Sequence, residues 1–243
     1  MATKQKKHIS FKDLILFEDK DIVLVSKPLD VASLDDKSNR NVLGLAKQYD
    51  EDLRLCHRLD KNTSGVMLLC RGDENYRHIS IQFERRKVKK VYATLVAGVH
   101  KFQQLDIDLP LYVSTNRKVS VNKVDGKPSK TIVDTEEAFK NYSLLNCKPV
   151  TGRMHQIRVH LASIKCPIVG DQLYGGQDIF LSEIKKGYKY SMRKEERPVN
   201  HGYLLHAREL HFTHPQKEEP MMVEAPYPKN FETTLKILRK YNS

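Results

Sequence analysis

The densest run of side chains able to do chemistry is His57-Arg58-Leu59-Asp60-Lys61-Asn62-Thr63-Ser64-Gly65. It stands directly before an apolar run, Val66-Met67-Leu68-Leu69-Cys70, so a polar loop leads into a buried strand. Side chains at such a junction are held at the mouth of a rigid sheet, where function concentrates. Arg58 offers phosphate contact, and Asp60 offers a nucleophile or a general acid or base. Thr63 and Ser64 can hydrogen-bond the loop backbone, and Gly65 permits a tight turn. Spacing alone leaves two readings open, a reactive loop or a solvated one closed by a local Arg58–Asp60 pair. The order H-R-L-D is not the H-R-D of a kinase loop, and neither G-x-G-x-x-G nor D-F-G accompanies it. Phosphoryl transfer is therefore set aside.

A second polar segment, Thr151 to His160 (TGRMHQIRVH), carries Arg153 and Arg158. Its two histidines, His155 and His160, are five apart, the wrong spacing for a shared metal face, and are expected to be structural or hydrogen-bonding. Cys56, Cys70, Cys147 and Cys166 contain no CxxC pair, so no zinc site is expected and the thiols read as reduced, mostly buried groups.

The elements that must position these groups follow from periodicity. Ile22 to Val25 is a β-branched run ended by Lys27-Pro28, a strand entering a turn. Asn41 caps a short helix through Tyr49. Gly65 to Cys70 reads as a buried strand, and Tyr76, Ile79 and Phe83 give residues 74–87 an amphipathic helical pattern. Strands are expected over 91–99 and near 117–124, 130–139 and 142–150. A helix over 153–164 would carry Met154, Ile157, Leu161 and Ile164 on one stripe. Residues 208–213 read as a strand, 231–241 as a closing helix, and 177–202 as a long lysine-rich surface loop, partly helical. Strands in succession with few helices between them predict a largely antiparallel α+β protein.

With 243 residues, 40% hydrophobic and 30% charged, the chain can bury a sizeable core. Its formal net charge of +12 suits a polyanionic partner, nucleic acid above all, although lysine also serves solubility. The basic run Arg85-Arg86-Lys87 lies just ahead of Tyr92 and is expected to contact such a partner. Residues 1–10 read as a basic mobile tail. Nothing approaches the ~20 consecutive apolar residues of a membrane span, and MATKQKKHIS lacks a signal-peptide core, so a cytoplasmic protein is expected.

The string HRLDxxTSG resembles the signature of the RluA-type pseudouridine synthases, and it is matched here without a gap. Other segments follow in that family's order: Lys27-Pro28, Lys90-Val91-Tyr92-Ala93, Thr151 to His160, Pro167-Ile168-Val169-Gly170-Asp171 with Tyr174-Gly175, Leu205-His206-Ala207 and His214-Pro215. Together they span about residues 15 to 228.

The resemblance implies a mixed, mainly antiparallel curved sheet with flanking helices and a central cleft, formed by residues 11–243 as one catalytic domain. It implies a cofactor-free, metal-free isomerase acting on structured rRNA or tRNA, as a monomer. Asp60 would be the essential carboxylate, Tyr92 would stack on the uracil and remove its C5 proton, and Arg158 would pair with Asp60. Arg58 would enter the RNA helix, with His57, Arg153, Leu205, Arg85, Arg86 and Lys87 completing the substrate contacts. The reaction breaks the N1–C1′ bond, turns the uracil and joins C5 to C1′, with no redox change. A carboxylate can add to C1′ or act through the ribose protons, and both routes stay open. A stacked uridine must first be flipped out, at a cost of a few kcal/mol. The alternative is a non-catalytic RNA-binding module that keeps the fold, but Asp60 and Tyr92 are both present. Two positions depart from the family pattern: Asp30 and Lys165 stand where glycine is usual, and Asp tolerates the left-handed conformation such a turn needs. Many relatives carry an N-terminal S4 domain; with about twenty residues before the first strand, none is expected here.

Overall fold

The computed structural model describes residues 9–34, 41–188 and 195–243. The expected tail therefore falls almost wholly outside the described residues, as does part of the lysine-rich loop.

In chain order the strands and helices are β1 (Ile15–Glu18), β2 (Ile22–Lys27), α1 (Val42–Tyr49), β3 (Leu53–Leu55), β4 (Ser64–Arg71) and α2 (Asp73–Glu84). Then come β5 (Lys89–Ala97), β6 (Leu105–Asp108), β7 (Leu111–Val113), β8 (Val119–Val121), β9 (Lys130–Ala138) and β10 (Tyr142–Pro149). The chain closes with α3 (Gln156–Ser163), α4 (Leu181–Ile184), β11 (Leu205–Thr213), β12 (Pro220–Glu224) and α5 (Lys229–Tyr241). One sheet runs β1-β2-β4-β11-β5-β10-β9-β6, with β12 added to β11 and β3 to β4; β7 and β8 form a separate hairpin. Every pairing described is antiparallel except β4 with β11, where His206 and Ala207 register with Ser64 and Gly65. The mixed, mainly antiparallel α+β expectation holds. No helix among the described residues is long and apolar enough to cross a membrane.

Strand alternation decides which groups meet. On β5, Ala93 and Leu95 pack toward Phe231, Leu235 and Leu238 of α5, while Tyr92 and Val96 pack toward Ile157 and Leu161 of α3. This period-two split puts Tyr92 and α3 on one face of the sheet. The α5 residues, each at most 1% exposed, recur at i, i+4 and i+7, and burying each contributes roughly 1.5–3 kcal/mol.

Several expectations shift in detail. The 74–87 helix is α2, which ends at Glu84, and Arg86 takes a left-handed φ of 56°. Its buried stripe is Asn75, Ile79 and Gln82, while Tyr76 is exposed. Those two amides go inside because they are satisfied: Gln82 bonds the Thr213 carbonyl and amide at 2.7 and 2.9 Å, and Asn75 bonds the Arg71 carbonyl at 2.9 Å. The 153–164 helix starts only at Gln156, because the Gln156 Oε1 accepts from Thr151 Oγ1 and the Arg153 amide at 2.6 and 3.0 Å and holds a turn there. Asp30 and Lys165 both adopt left-handed φ, 62° and 61°, so the glycine-like turns survive their substitution.

Candidate active site

The polar loop between β3 and β4 is tied down almost residue by residue. The Leu68 amide donates to His57 Nε2 at 3.0 Å. Ser33 Oγ accepts from the Leu59 amide at 2.9 Å and donates to the Leu59 carbonyl at 2.7 Å. Buried Lys27 spends its ammonium on the carbonyls of Pro28, Val31 and Lys61, at 3.0, 2.8 and 3.0 Å. Thr63 Oγ1 meets the Tyr203 hydroxyl at 3.2 Å, and Ser64 Oγ meets His206 Nδ1 at 2.9 Å. Gly65 closes the loop at φ 120°, where a Cβ would lie 2.1 Å from the Ala207 carbonyl oxygen, so only glycine fits between β4 and β11. Burial pushes Lys27 down to about 7, with the Asp60 and Asp30 charges opposing. The loop is thus a rigid mount for Asp60.

Asp60 borders a cavity of about 530 Å³, a size typical of small-ligand pockets. Its walls bring together Arg58 and Asp60 from the loop, Tyr92 from β5, Arg153, His155 and Arg158 around the start of α3, and Leu205 from β11. Tyr92 and the buried Leu205 also pack in one apolar cluster with Ile157. Burial, then the Asp60 charge, raises the Tyr92 phenol, which therefore does not rest as phenolate at neutral pH.

Arg158 is nearly buried and serves two acids. Its Nε and Nη2 form a bidentate pair with Asp171 Oδ2 and Oδ1, each at 2.7 Å, while Nη1 stays 3.8 Å from Asp60 Oδ2. The expected Arg158–Asp60 pair is present only as this longer contact. The parallel Nε/Nη2 edge matches a carboxylate face-on, and Asp171, 2% exposed, takes it. The guanidinium is flanked by the rings of Tyr203 and Tyr174, at 4.4 and 4.8 Å.

Other sequence-derived residues divide. His57 lines the wall, but its Nε2 is consumed by the Leu68 amide and its ring lies against Phe83 at 4.9 Å. Burial, then Lys90, pushes its pKa down to about 3, so it is a neutral loop anchor. Arg86 reaches the cavity wall; Arg85 and Lys87 are exposed and lie outside it, while Lys90 joins the lining. His160 is held by Thr131 and the Leu109 carbonyl at 2.9 and 3.0 Å. His155, expected to be merely structural or hydrogen-bonding, stands beside Asp60. Asp171, Tyr174 and Tyr203 join the site without a chemical signal of their own in the sequence, although the first two lie in the segment from Pro167 to Gly175.

Among the described residues, one group has metal-ligand spacing: Asp19, Asp21 and His214, with donor atoms within 4.8 Å of one another. It does not suit a cation. His214 Nδ1 accepts the Gln216 and Lys217 amides at 3.2 and 3.0 Å, so the proton sits on Nε2 and is donated to Asp19 Oδ2 at 2.9 Å. The Lys217 ammonium lies 3.1 Å from the same oxygen. Asp21 Oδ2 is buried without a hydrogen-bond partner, but an ion placed there would meet that ammonium.

A carboxylate, a tyrosine and a buried arginine thus share one cavity on a mainly antiparallel sheet, a set of groups able to do acid–base or nucleophilic work. A model of RNA pseudouridylate synthases matches residues 21–163, and the chain belongs to that family. Its reaction is the isomerisation of uridine to pseudouridine in RNA. The ribosomal large subunit pseudouridine synthase C of Buchnera aphidicola subsp. Baizongia pistaciae (strain Bp) is 33% identical over 240 residues, 95% of this chain and 72% of that protein. The protein of the same name from Escherichia coli (strain K12) is 34% identical over 242 residues, 96% of this chain and 72% of its own. Among solved structures, Human RNA Pseudouridylate Synthase Domain Containing 4 superposes with a TM-score of 0.72 at 25% identity, over 94% of each chain. Human RNA Pseudouridylate Synthase Domain Containing 1 shares the fold, with a TM-score of 0.68 at 24% identity, over 91% of this chain and 86% of that one.

Proposed function

We propose that this chain modifies uridines of ribosomal RNA and that Asp60 is the carboxylate on which the isomerisation depends. The observation that carries this reading is the mounting of Asp60: a loop fixed by Lys27, Ser33, Tyr203 and His206 holds it at a cavity shared with Tyr92 and Arg158. The ribosomal target follows the names of the relatives, which are large-subunit enzymes.

In this reading the target uridine leaves its stack and enters the cavity, where Tyr92 and Leu205 receive the base. Asp60 serves the C1′ centre while the N1–C1′ bond breaks and the uracil turns; C5 then bonds to C1′, and the C5 proton is finally lost. Since the Tyr92 phenol is protonated at rest, its oxygen takes that proton only as its own departs, and N1, which kept the electron pair of the broken bond, gains a proton, so that the product is an isomer of the substrate. Arg158 keeps positive charge beside Asp60, its Nη1 3.8 Å from Oδ2. Arg58, exposed at the cavity rim, occupies the space the base leaves, and Arg153, Arg86 and the flanking lysines neutralise phosphates. The protein works in the cytoplasm as a monomer, without metal, and residues 11–243 form the catalytic unit.

The test has two arms. Pseudouridine mapping of total RNA from cells with and without the gene should lose signal at ribosomal sites; loss confined to transfer RNA would overturn the ribosomal assignment. Purified Asp60→Asn, nearly isosteric, should fold and bind RNA but make no product, and near-wild-type turnover would overturn the role of Asp60.

A further inference from the structure

His155 enters the site from a left-handed backbone position, φ 53°, one residue before α3. A non-glycine residue keeps that conformation only where its surroundings enforce it, and such positions cluster at functional sites. Its half-buried ring bridges two partners: Nδ1 lies 2.8 Å from the Tyr174 hydroxyl, and Nε2 lies 3.8 Å from Asp60 Oδ2. Arg158 Nη1 approaches the same carboxylate oxygen, also at 3.8 Å.

The tautomer follows from the partners. Nδ1 and the Tyr174 hydroxyl share one hydrogen bond, in which the O–H donates when the N–H is on the ring nitrogen that faces the carboxylate. The opposite tautomer would aim a lone pair at a carboxylate oxygen. The imidazole proton therefore sits on Nε2 and faces Asp60. Burial keeps the ring neutral, with Arg158 and Arg58 assisting and Asp60 and Asp171 opposing. A neutral N–H orients a carboxylate while leaving its negative charge available, whereas an imidazolium would bind it as an ion pair.

We propose that His155 is a positioning residue for the isomerisation: a donor locked by Tyr174 that, together with Arg158, holds the Asp60 carboxylate in its reactive orientation. This rests on Asp60 as the reacting carboxylate. The β7–β8 hairpin thereby supports the site, because Tyr174 packs against the cluster of Leu111, Val119 and Val159.

The experiment combines a spectroscopic and a kinetic measurement on the full chain. Long-range ¹H–¹⁵N correlation at neutral pH should show His155 as a neutral Nε2–H tautomer, with that single tautomer lost in Tyr174→Phe. In single-turnover assays at saturating RNA, His155→Asn keeps a side chain that tolerates left-handed φ but withdraws the donor. Its rate should fall by about 10²-fold, the scale of a misplaced reacting group, with RNA affinity retained. Tyr174→Phe should lose less, and His155→Gln, which restores a longer donor, should regain part of the rate. A charged or Nδ1–H imidazole in the wild type overturns the proposal and needs no variant. So does a wild-type rate in His155→Asn, or a loss of affinity that matches its loss of rate. If Asp60→Asn turns over normally, both readings fall; if Asp60→Asn is inactive while His155→Asn is normal, only this one does.

Discussion

Replacing Asp171 by Asn would remove the charge that Arg158 holds most tightly and leave its shape. Arg158 and Asp171 are 6% and 2% exposed and joined by two 2.7 Å hydrogen bonds. Stripping one partner from a buried pair costs about 3–5 kcal/mol. Part of that is recoverable here, because Asp60 waits 3.8 Å from Nη1 and can close on the guanidinium. A hydrogen bond to a charged group contributes about 1.5–3 kcal/mol, so the net loss should be about 1–3 kcal/mol. At roughly 2–4 °C per kcal/mol for a chain of this size, Tm should drop by about 2–12 °C. The same closure draws Asp60, the carboxylate proposed to serve the reaction, into a structural task, so single-turnover rate should fall by about 10²-fold while RNA binding persists. Urea melts of Asp171→Asn, Asp60→Asn and the double variant separate the two effects. Without Asp60 to close in, Asp171→Asn should cost the full 3–5 kcal/mol, making the double variant less stable than additivity allows. Equal losses in both backgrounds, or an unchanged rate in Asp171→Asn, would refute the idea that the two acids compete for one arginine.

Two further outcomes are expected. Tyr92→Phe keeps the ring and its packing but deletes the hydroxyl, so RNA binding should persist while product formation falls at least ~10²-fold, and matched losses of both would make Tyr92 a stacking residue. Arg85→Ala/Arg86→Ala/Lys87→Ala should flatten the dependence of log affinity on log salt by about two to three units, at roughly 0.7–0.9 per phosphate contact, without changing which uridine is chosen; an unchanged slope would move the RNA path elsewhere.

The frame, and the placing of Asp60 at the mouth of the sheet, are legible in the sequence because both rest on local signals. A continuous apolar run marks β4, helical spacing of Ile79 and Phe83 marks α2, and a charged loop before an apolar strand points to Asp60. Partnerships set by tertiary packing were not legible. Nothing in the string TGRMHQIRVH tells that Gln156 folds back and delays the helix, throwing His155 into a left-handed turn beside Asp60. Likewise the choice of Asp171 over Asp60 by Arg158 depends on a turn that sequence reasoning read only as a turn. The short strands β3, β6 and β12 escaped notice because three to five residues carry too little periodicity to separate them from loop. Hydrophobicity points Tyr76 inward, whereas the buried positions belong to amides whose hydrogen bonds come from the distant Thr213 and Gln216.

The anchors of the Asp60 loop come from opposite ends of the chain. Ser33 and Lys27 are 26 and 34 residues from the groups they hold, whereas Tyr203 and His206 are 140 and 142 residues away. A ribosome that has released the HRLD segment has thus made Asp60 long before the parts that fix its loop. Until β11 emerges and inserts between β4 and β5, Thr63, Ser64 and Gly65 lack their partners, and the sheet's centre is missing. Such distant closures come late in folding because the chain entropy must be lost before the contacts form. The cavity that holds Asp60 therefore cannot be complete before β11 has been made.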